Sequence, residues 1–167
     1  MTAKECGSSL GVAVIGLGVG RHHLETLNTI SNCRILQICD FSQERLETVG
    51  NRFPGARLTT DSVTAISDPN VNLVVIASVD NYHYEQVMQA ISKGKHVFVE
   101  KPLCLATREL IDIYKTLRVN PTIQLSSNLV LRTTPMFQTI AKDIETGEFG
   151  RLFYLEADYL WGRKEKL

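Results

Sequence analysis

Apolar residues along the chain form short continuous runs that alternate with stretches of helical spacing. Largely apolar runs occupy residues 12–15, 71–77 and 96–99, which is typical of strands buried on both faces of a parallel sheet. Between these runs, apolar residues recur every three or four positions, as they do on the buried face of a helix. The pattern therefore predicts strands and helices in alternation.

The predicted elements can be placed from the ends of these runs and from capping residues. Strands are predicted over residues 12–15, 34–40, 57–60, 71–77, 96–99 and 122–125. Helices are predicted over residues 21–30, 42–49, 61–66, 82–92 and 107–118. Strands that alternate with helices are typical of a doubly wound parallel sheet, so the expected fold is α/β and Rossmann-like.

The pattern changes after residue 128. A helix is predicted from Pro135, which suits a first helical turn, to Gly147, which suits a helix end. Residues 152–161 then alternate between apolar and polar, which predicts an antiparallel-type strand with one half-polar face. This would begin an antiparallel α+β domain that the 167 residues do not complete, so we expect a fragment or a truncated product. A long strand without a partner is an exposed edge, and we expect a homo-oligomer through it.

Composition narrows the classes of protein. The formal net charge is zero, which argues against nucleic-acid binding through a basic face. No apolar stretch approaches the roughly 20 residues of a membrane span, and the polar N-terminus has no secretory signal. Four scattered cysteines have no metal-binding or disulfide spacing, so we expect no metal, buried free thiols at Cys33 and Cys39, and a reducing, cytoplasmic compartment.

The most informative stretch is the glycine-rich turn after the first predicted strand. Glycines there allow a sharp turn and a close ligand, and the free N–H groups of a helix start attract phosphate. The dinucleotide fingerprint G-x-G-x-x-G is met only in part, because Gly20 comes one residue before the third position. Adenosylmethionine-dependent methyltransferases share such turns, but they usually carry an acid on the first strand, which is absent here. The candidate cofactor contacts are Gly16, Leu17, Gly18, Val19, Gly20 and Arg21.

Asp40 favours one class of nucleotide. It lies 22 residues after Gly18, at the end of the second predicted strand. An acid at this place accepts hydrogen bonds from the adenosine ribose and repels a 2′-phosphate, which favours NAD. Arg45 lies close enough in sequence to leave NADP open.

Two more loops should border the cofactor, because ligands of open α/β sheets bind beyond the carboxyl ends of the strands. After the fourth strand the candidates are Ser78, Val79, Asp80 and His83, where His83 either contacts the ligand or caps and packs its helix. After the fifth strand come Glu100, Lys101 and Pro102. A lysine at a strand end can orient a substrate hydroxyl and share its proton.

Together these motifs resemble the Gfo/Idh/MocA family of NAD(P)-dependent sugar and polyol oxidoreductases. The resemblance rests on the glycine turn, on Asp40, on Ser-Val-Asp-Asn-Tyr-His at 78–83 and on Glu-Lys-Pro-Leu at 100–103. It extends to Asn128, Arg132 and Pro135 and to Gly-Glu-Phe-Gly-Arg at 147–151. It implies an NAD cofactor, with NADP open, and a small sugar or polyol substrate. It further implies that Lys101 is catalytic beside the nicotinamide and that Asn128 belongs to a crossover segment near the cofactor.

The expected organisation follows from the motifs and the resemblance. Residues 1–10 are a polar leader, residues 11–127 a dinucleotide-binding domain, and residues 128–167 a crossover helix with the first strand of an incomplete substrate and dimerisation domain. Two functions from different classes stay open beside the methyltransferase: a dehydrogenase, and a non-catalytic module that binds a dinucleotide and pairs with another chain.

Overall fold

The structure, a computed structural model, describes residues 9–160. Within them the strands are β1 (Leu10–Ile15), β2 (Cys33–Cys39), β3 (Arg57–Thr59), β4 (Leu73–Ile76), β5 (His96–Val99) and β6 (Leu125–Ser127). The helices are α1 (Gly20–Leu27), α2 (Gln43–Gly50), α3 (Ser62–Ser67), α4 (His83–Ser92), α5 (Thr107–Val119) and α6 (Pro135–Thr146). Short 3₁₀ turns occupy Asp80–Tyr82 and Val130–Thr133.

All six strands form one parallel sheet in the order 3-2-1-4-5-6. The chain runs outwards from β1 to β3, returns to the other side of β1 as β4, and continues outwards to β6. The direction of winding therefore reverses between β1 and β4, where open α/β sheets bind their ligands. The predicted doubly wound α/β fold is confirmed.

The sheet is buried on both faces because alternate residues of β1 point to opposite sides. Val12 and Val14 pack with Leu24 of α1 and Leu46 of α2 on one face. Ala13 and Ile15 pack on the other face, in the cluster built from α3, α4 and α5. The central strands consequently have almost no exposed surface, which explains their continuous apolar sequence.

Local chemistry sets the ends of several helices. The Ser42 hydroxyl accepts a hydrogen bond from the Arg45 amide at the start of α2. The Asp61 carboxylate accepts from the Val63 and Thr64 amides at the start of α3. Each side chain satisfies amides that have no partner inside the helix, as the sequence at these positions suggests.

The sixth strand lies later in the chain than predicted. Pro121 and Thr122 form a turn, closed by a hydrogen bond from the Ile123 amide to the Asn120 carbonyl oxygen. Strand pairing with β5 begins only at Leu125 and includes two serines. The prediction over residues 122–125 followed the apolar residues, whereas the turn geometry decides where pairing starts.

The chain divides into two compact units, Met1–Asn128 and Leu129–Leu167. The second unit contains α6, which begins with Pro135 and ends at Gly147 in a left-handed conformation, φ 80°. No residue of α6 is buried.

The predicted strand over residues 152–161 is wrong for the described residues. Residues 152–160 carry no regular secondary structure, and Trp161 lies outside the described part. A strand needs a hydrogen-bonded neighbour, and the described residues of this unit offer none. The start of an antiparallel sheet is therefore not formed here.

Residues 9–160 contain neither a membrane-spanning helix nor a metal-binding cluster. None of their helices is long and apolar enough to cross a membrane. They also contain no cluster of histidine, cysteine and acidic residues suited to a metal ion.

The burial of the cysteines agrees only in part with the expectation. Cys39 is buried and free, as predicted, but Cys33 is only partly buried. Cys104 is also free and partly buried, and Cys6 lies outside the described residues. Burial, followed by the negative charges of Asp40 and Asp61, raises the pKa of the Cys39 thiol to about 12.

We predict that Cys39 resists alkylation in the native chain. A pKa of about 12 in place of 9.0 lowers the thiolate fraction about a thousandfold, and the thiolate is the nucleophile. Brief iodoacetamide treatment followed by peptide mass spectrometry should modify Cys33 and spare Cys39, and treatment in denaturant should modify both. Equal native rates at the two thiols would contradict the placement of Cys39.

Candidate functional site

The carboxyl ends of five strands bring the predicted site residues into one row. The last residues of β2, β1, β4, β5 and β6 are paired in register. The residues that follow them therefore lie side by side along the edge of the sheet, in the order Asp40, Gly16, Ala77, Glu100 and Asn128. Three strand spacings, about 14 Å, separate β2 from β5. An elongated ligand is required to reach from one end of this row to the other.

The three glycines of the turn have different roles. Gly16 has φ +87°, and a Cβ there would lie 2.4 Å from the Ala77 carbonyl oxygen, so the turn requires glycine. A Cβ on Gly18 would meet no atom within 4 Å, which leaves open space above its backbone. A Cβ on Gly20 would lie 3.2 Å from Val14, which shows that this glycine lets α1 pack closely on β1.

This geometry resolves the irregular fingerprint. Helix α1 begins at Gly20, so the packing role assigned to the third glycine is met one residue early. Arg21, which occupies the expected third position, is exposed. The turn thus offers a tight bend, an open backbone and a close helix, which are the features a bound pyrophosphate needs.

The start of α1 is suited to an anion. Among the described residues no side chain caps this helix at Val19, and its first turn contains no acidic residue. Its first N–H groups and the positive end of its dipole therefore face open space beside Gly18.

Asp40 is buried and already has two hydrogen-bond partners. One carboxylate oxygen, Oδ2, accepts from the Leu17 amide at 2.7 Å, and Oδ1 accepts from the Ser42 amide at 2.9 Å. The Arg45 guanidinium lies 3.8 Å from Oδ1. Asp40 therefore holds the glycine turn in place before any ligand arrives. A carboxylate has about four acceptor positions, so ribose hydroxyls can still be accepted.

Two clefts border the glycine turn. One, of about 510 Å³, lies between the ends of β1 and β2 and the loop after β4, and its lining includes Gly16, Asp40, Ser78 and Val79. The other, of about 630 Å³, lies between the glycine turn and α2, and its lining includes Leu17, Gly18, Val19, Arg21 and His22. The predicted contacts at the turn, at Asp40 and after β4 are thus brought together, while Asp80 lies exposed at the start of a 3₁₀ turn.

His83 is buried and is not among the residues that line these two clefts. Its ring is fully buried, with Nδ1 2.6 Å from the Pro102 carbonyl oxygen and Nε2 3.1 Å from the Ser78 carbonyl oxygen. A neutral imidazole has one N–H and can donate to only one of these oxygens. The expectation of a ligand contact is therefore replaced by a positioning role, because His83 joins the loops that follow β4 and β5.

Glu100 is held by donors from two other elements. Its Oε1 lies 2.7 Å from His23 Nε2 of α1, and the Asn128 side-chain amide donates to the same oxygen at 2.7 Å. Burial raises the pKa of Glu100, but the hydrogen bonds from Asn128 and His23 outweigh it and hold that pKa below its usual value. Glu100 is therefore an ionised anchor between α1, β5 and the end of β6.

Lys101 follows directly and is exposed. None of the described residues pairs with its ammonium group. The peptide bond between Lys101 and Pro102 is cis. The exposed amine follows the end of β5, while the two neighbours of Lys101, Glu100 and Pro102, are held by His23 and His83.

The sequence analysis missed two residues at this edge. His23 was interpreted only as part of a helix, and its partner Glu100 lies 77 positions away. Phe41 lines the cleft beside Asp40, is 72% exposed, and has the Arg45 guanidinium over its ring. The sequence shows an aromatic residue directly after the acid, and this signal could have identified Phe41.

A family model described as an oxidoreductase family with an NAD-binding Rossmann fold matches residues 10–127. Among curated relatives, an inositol 2-dehydrogenase of Mycolicibacterium smegmatis is 32% identical over 146 residues, which are 86% of this chain and 42% of that protein. A myo-inositol 2-dehydrogenase of Thermotoga maritima is 30% identical over a stretch that makes up 84% of this chain and 42% of that protein. The chain thus spans about two fifths of the length of these relatives.

Solved structures agree on the fold. A myo-inositol 2-dehydrogenase from Lactobacillus plantarum superposes with a TM-score of 0.79 at 26% identity, covering 88% of this chain and 44% of that one. A scyllo-inositol dehydrogenase from Lactobacillus casei, solved with NAD(H) and scyllo-inositol, superposes at 0.80 over 86% and 43% of the two chains. At 19% identity the latter likeness concerns the fold alone. The family match makes the methyltransferase alternative wrong.

We predict that two substitutions in the turn act differently, one on stability and the other on NADH binding. Gly16→Ala places a Cβ against the Ala77 carbonyl oxygen in a left-handed conformation, so the midpoint of thermal unfolding should fall by several degrees. Gly18→Ala meets open space and should leave that midpoint unchanged, yet weaken NADH binding about tenfold by blocking the backbone. Thermal melts and fluorescence titrations measure both. Unchanged NADH affinity in Gly18→Ala would place the dinucleotide elsewhere.

Proposed function

The chain belongs to the Gfo/Idh/MocA oxidoreductase family, and from this we propose that it binds NAD(H) and serves the oxidation of a sugar or polyol hydroxyl. The observation that carries the proposal is the spatial order of Gly16, Gly18 and Gly20, with the first making the turn, the second open and the third packed. Relatives named as inositol dehydrogenases support a cyclitol, a ring polyol, as the substrate class.

Each end of the dinucleotide would have its own partners. The open backbone at Gly18 and the first N–H groups of α1 would bind the pyrophosphate. The free acceptor positions of Asp40 would bind the adenosine ribose hydroxyls, and Phe41 would pack on the adenine. Because the Asp40 carboxylate repels a 2′-phosphate, we expect NAD to bind more tightly than NADP even with Arg45 nearby.

Lys101 is the proposed catalytic residue. NAD supplies the hydride acceptor when it is bound. The exposed amine of Lys101 would contact the substrate hydroxyl oxygen and take its proton as the carbonyl forms. Glu100 and Pro102 would hold the lysine backbone in place, since the side chain of the first and the carbonyl of the second are bound by His23 and His83.

The proposal predicts cofactor binding that does not depend on Lys101. Calorimetry should give micromolar to millimolar dissociation constants for NADH, roughly −8 to −4 kcal/mol, with weaker binding of NADPH. Lys101→Met should bind NADH within about threefold of the parent, because the lysine acts at the substrate. No binding of either cofactor at millimolar concentration would contradict the proposal.

Turnover separates the dehydrogenase from a non-catalytic module. The protein expressed from its natural gene is incubated with NAD⁺ and a panel of sugars and cyclitols while NADH is followed by absorbance. Reduction that is lost in the Lys101→Met variant supports the dehydrogenase. Tight NADH binding without turnover on any member of the panel supports the module instead.

We also propose that residues 152–160 associate with a second copy of the chain. Phe153, Leu155 and Leu160 are 96%, 80% and 93% exposed, and apolar surface of this kind favours association. Light scattering should give the mass of a dimer or a larger species, and Leu155→Glu should shift it towards the monomer. A monomeric parent chain at all concentrations tested would contradict association.

A further inference from the structure

The turn that carries Lys101 is bound on both faces of the sheet. On one face His83 of α4 lies against the Pro102 carbonyl oxygen. On the other face His23 of α1 lies against the Glu100 carboxylate. We propose that His23 is a positioning residue, which keeps the Glu100 carboxylate away from the side-chain nitrogen of Lys101 and so leaves the lysine amine free. The role of that amine rests on the proposed function, whereas the contact of His23 does not.

The contact is short and largely shielded from water. His23 Nε2 and Glu100 Oε1 are 2.7 Å apart, and their side chains are 20% and 12% exposed. The ring of His23 also packs edge-on against Phe98, with centroids 5.3 Å apart and an interplanar angle of 76°. Packing therefore fixes the direction of the ring, and Glu100 receives its N–H.

The proton of His23 can be assigned from its partner. An ionised carboxylate only accepts hydrogen bonds, so Nε2 must donate. The Asn128 amide donates to the same oxygen, and both donors hold the pKa of Glu100 below its usual value. Two donors on one carboxylate oxygen hold the charged group of Glu100 in place and satisfy it.

Loss of the His23 donor would leave the Glu100 carboxylate held by Asn128 alone, next to a cation. Glu100 and Lys101 are consecutive, and the described residues give the Lys101 ammonium no other partner. A carboxylate freed from α1 would approach the ammonium, stabilise its protonated form and reduce its nucleophilicity. His83 would still hold Pro102, so the change is a shift within the turn and the fold is kept.

Helix α1 also connects this contact to the glycine turn. His23 is the fourth residue of the helix that begins at Gly20, so the element beside the proposed pyrophosphate position also contacts Glu100. His22 precedes it on the same helix but is 64% exposed, and its ring lies 3.7 Å from Glu25. His22 is therefore a matched control, with the same residue type and helix but without contact to Glu100.

The test measures the reactivity of the Lys101 amine in the 167-residue chain without cofactor. Brief acylation followed by peptide mass spectrometry gives the labelling of Lys101 relative to Lys93, an exposed lysine at the end of α4. His23→Phe keeps an aromatic ring against Phe98 and removes the donor. His23→Gln keeps a side-chain N–H donor, and His22→Phe is the control.

We expect the Lys101-to-Lys93 ratio to fall about fivefold in His23→Phe, the factor that one ordinary hydrogen bond contributes, because Asn128 still holds the carboxylate. His23→Gln should restore it to within about twofold, and His22→Phe should match the parent. A ratio in His23→Phe that equals the control or rises overturns the proposal, as does His23→Gln behaving like His23→Phe. If His23→Phe does not fold, as judged by thermal melting, His23→Leu takes its place under the same criteria.

The outcome is independent of the proposed function. Labelling is measured without nucleotide, so a chain that binds no NADH in calorimetry can still show the His23 effect. Conversely, NADH binding with unchanged labelling in His23→Phe would retain the proposed function and reject the role of His23.

Discussion

The alignment of parallel strand ends is the constraint on which the candidate site depends. Because β1, β2, β4, β5 and β6 finish in register, the residues that follow them emerge at one edge of the sheet, although they are spread from Gly16 to Asn128 along the sequence. Burial of both sheet faces enforces this register, since a slip of one residue would move each side chain of β1 to the opposite face and break its packing there. The site is thus a consequence of how the core packs.

A buried carboxylate and a partly buried one tie helix α1 to that edge. Asp40 at the end of β2 binds the Leu17 amide in the turn before the helix, and Glu100 at the end of β5 binds His23 within it. Each acid accepts two hydrogen bonds, so its charge is compensated despite burial. The helix that would face the pyrophosphate is therefore fixed at two separate points of the row. This arrangement keeps the site in shape without a ligand, which lowers the cost of binding.

Much of the fold was predictable because short stretches of sequence determine its strands and helix starts. The apolar runs of β1, β4 and β5 report burial on both faces, and Ser42 and Asp61 report helix starts. The strand predicted over residues 152–161 failed because alternation describes what a strand would bury, whereas pairing requires a neighbour that the described residues do not supply. The shifted start of β6 has the same cause, since the turn at Pro121 sets its pairing.

The site was less predictable because its contacts join distant parts of the chain. Residue type and strand-end position were enough to select Asp40 and Lys101 as candidates. They were not enough to show that Asp40 holds Leu17 or that His83 faces two carbonyl oxygens. His23 could not be selected, because nothing near it in sequence distinguishes it from His22. Only the fold brings it to Glu100.

One extended dinucleotide would lie along this edge, with its nicotinamide end at Lys101. Intermolecular nuclear Overhauser effects in a complex of the isotope-labelled chain with NADH would measure this placement. We expect contacts from the nicotinamide ring protons to the Lys101 side chain and from the adenine protons to Phe41. Nicotinamide contacts at Phe41, or adenine contacts at Lys101, would contradict it.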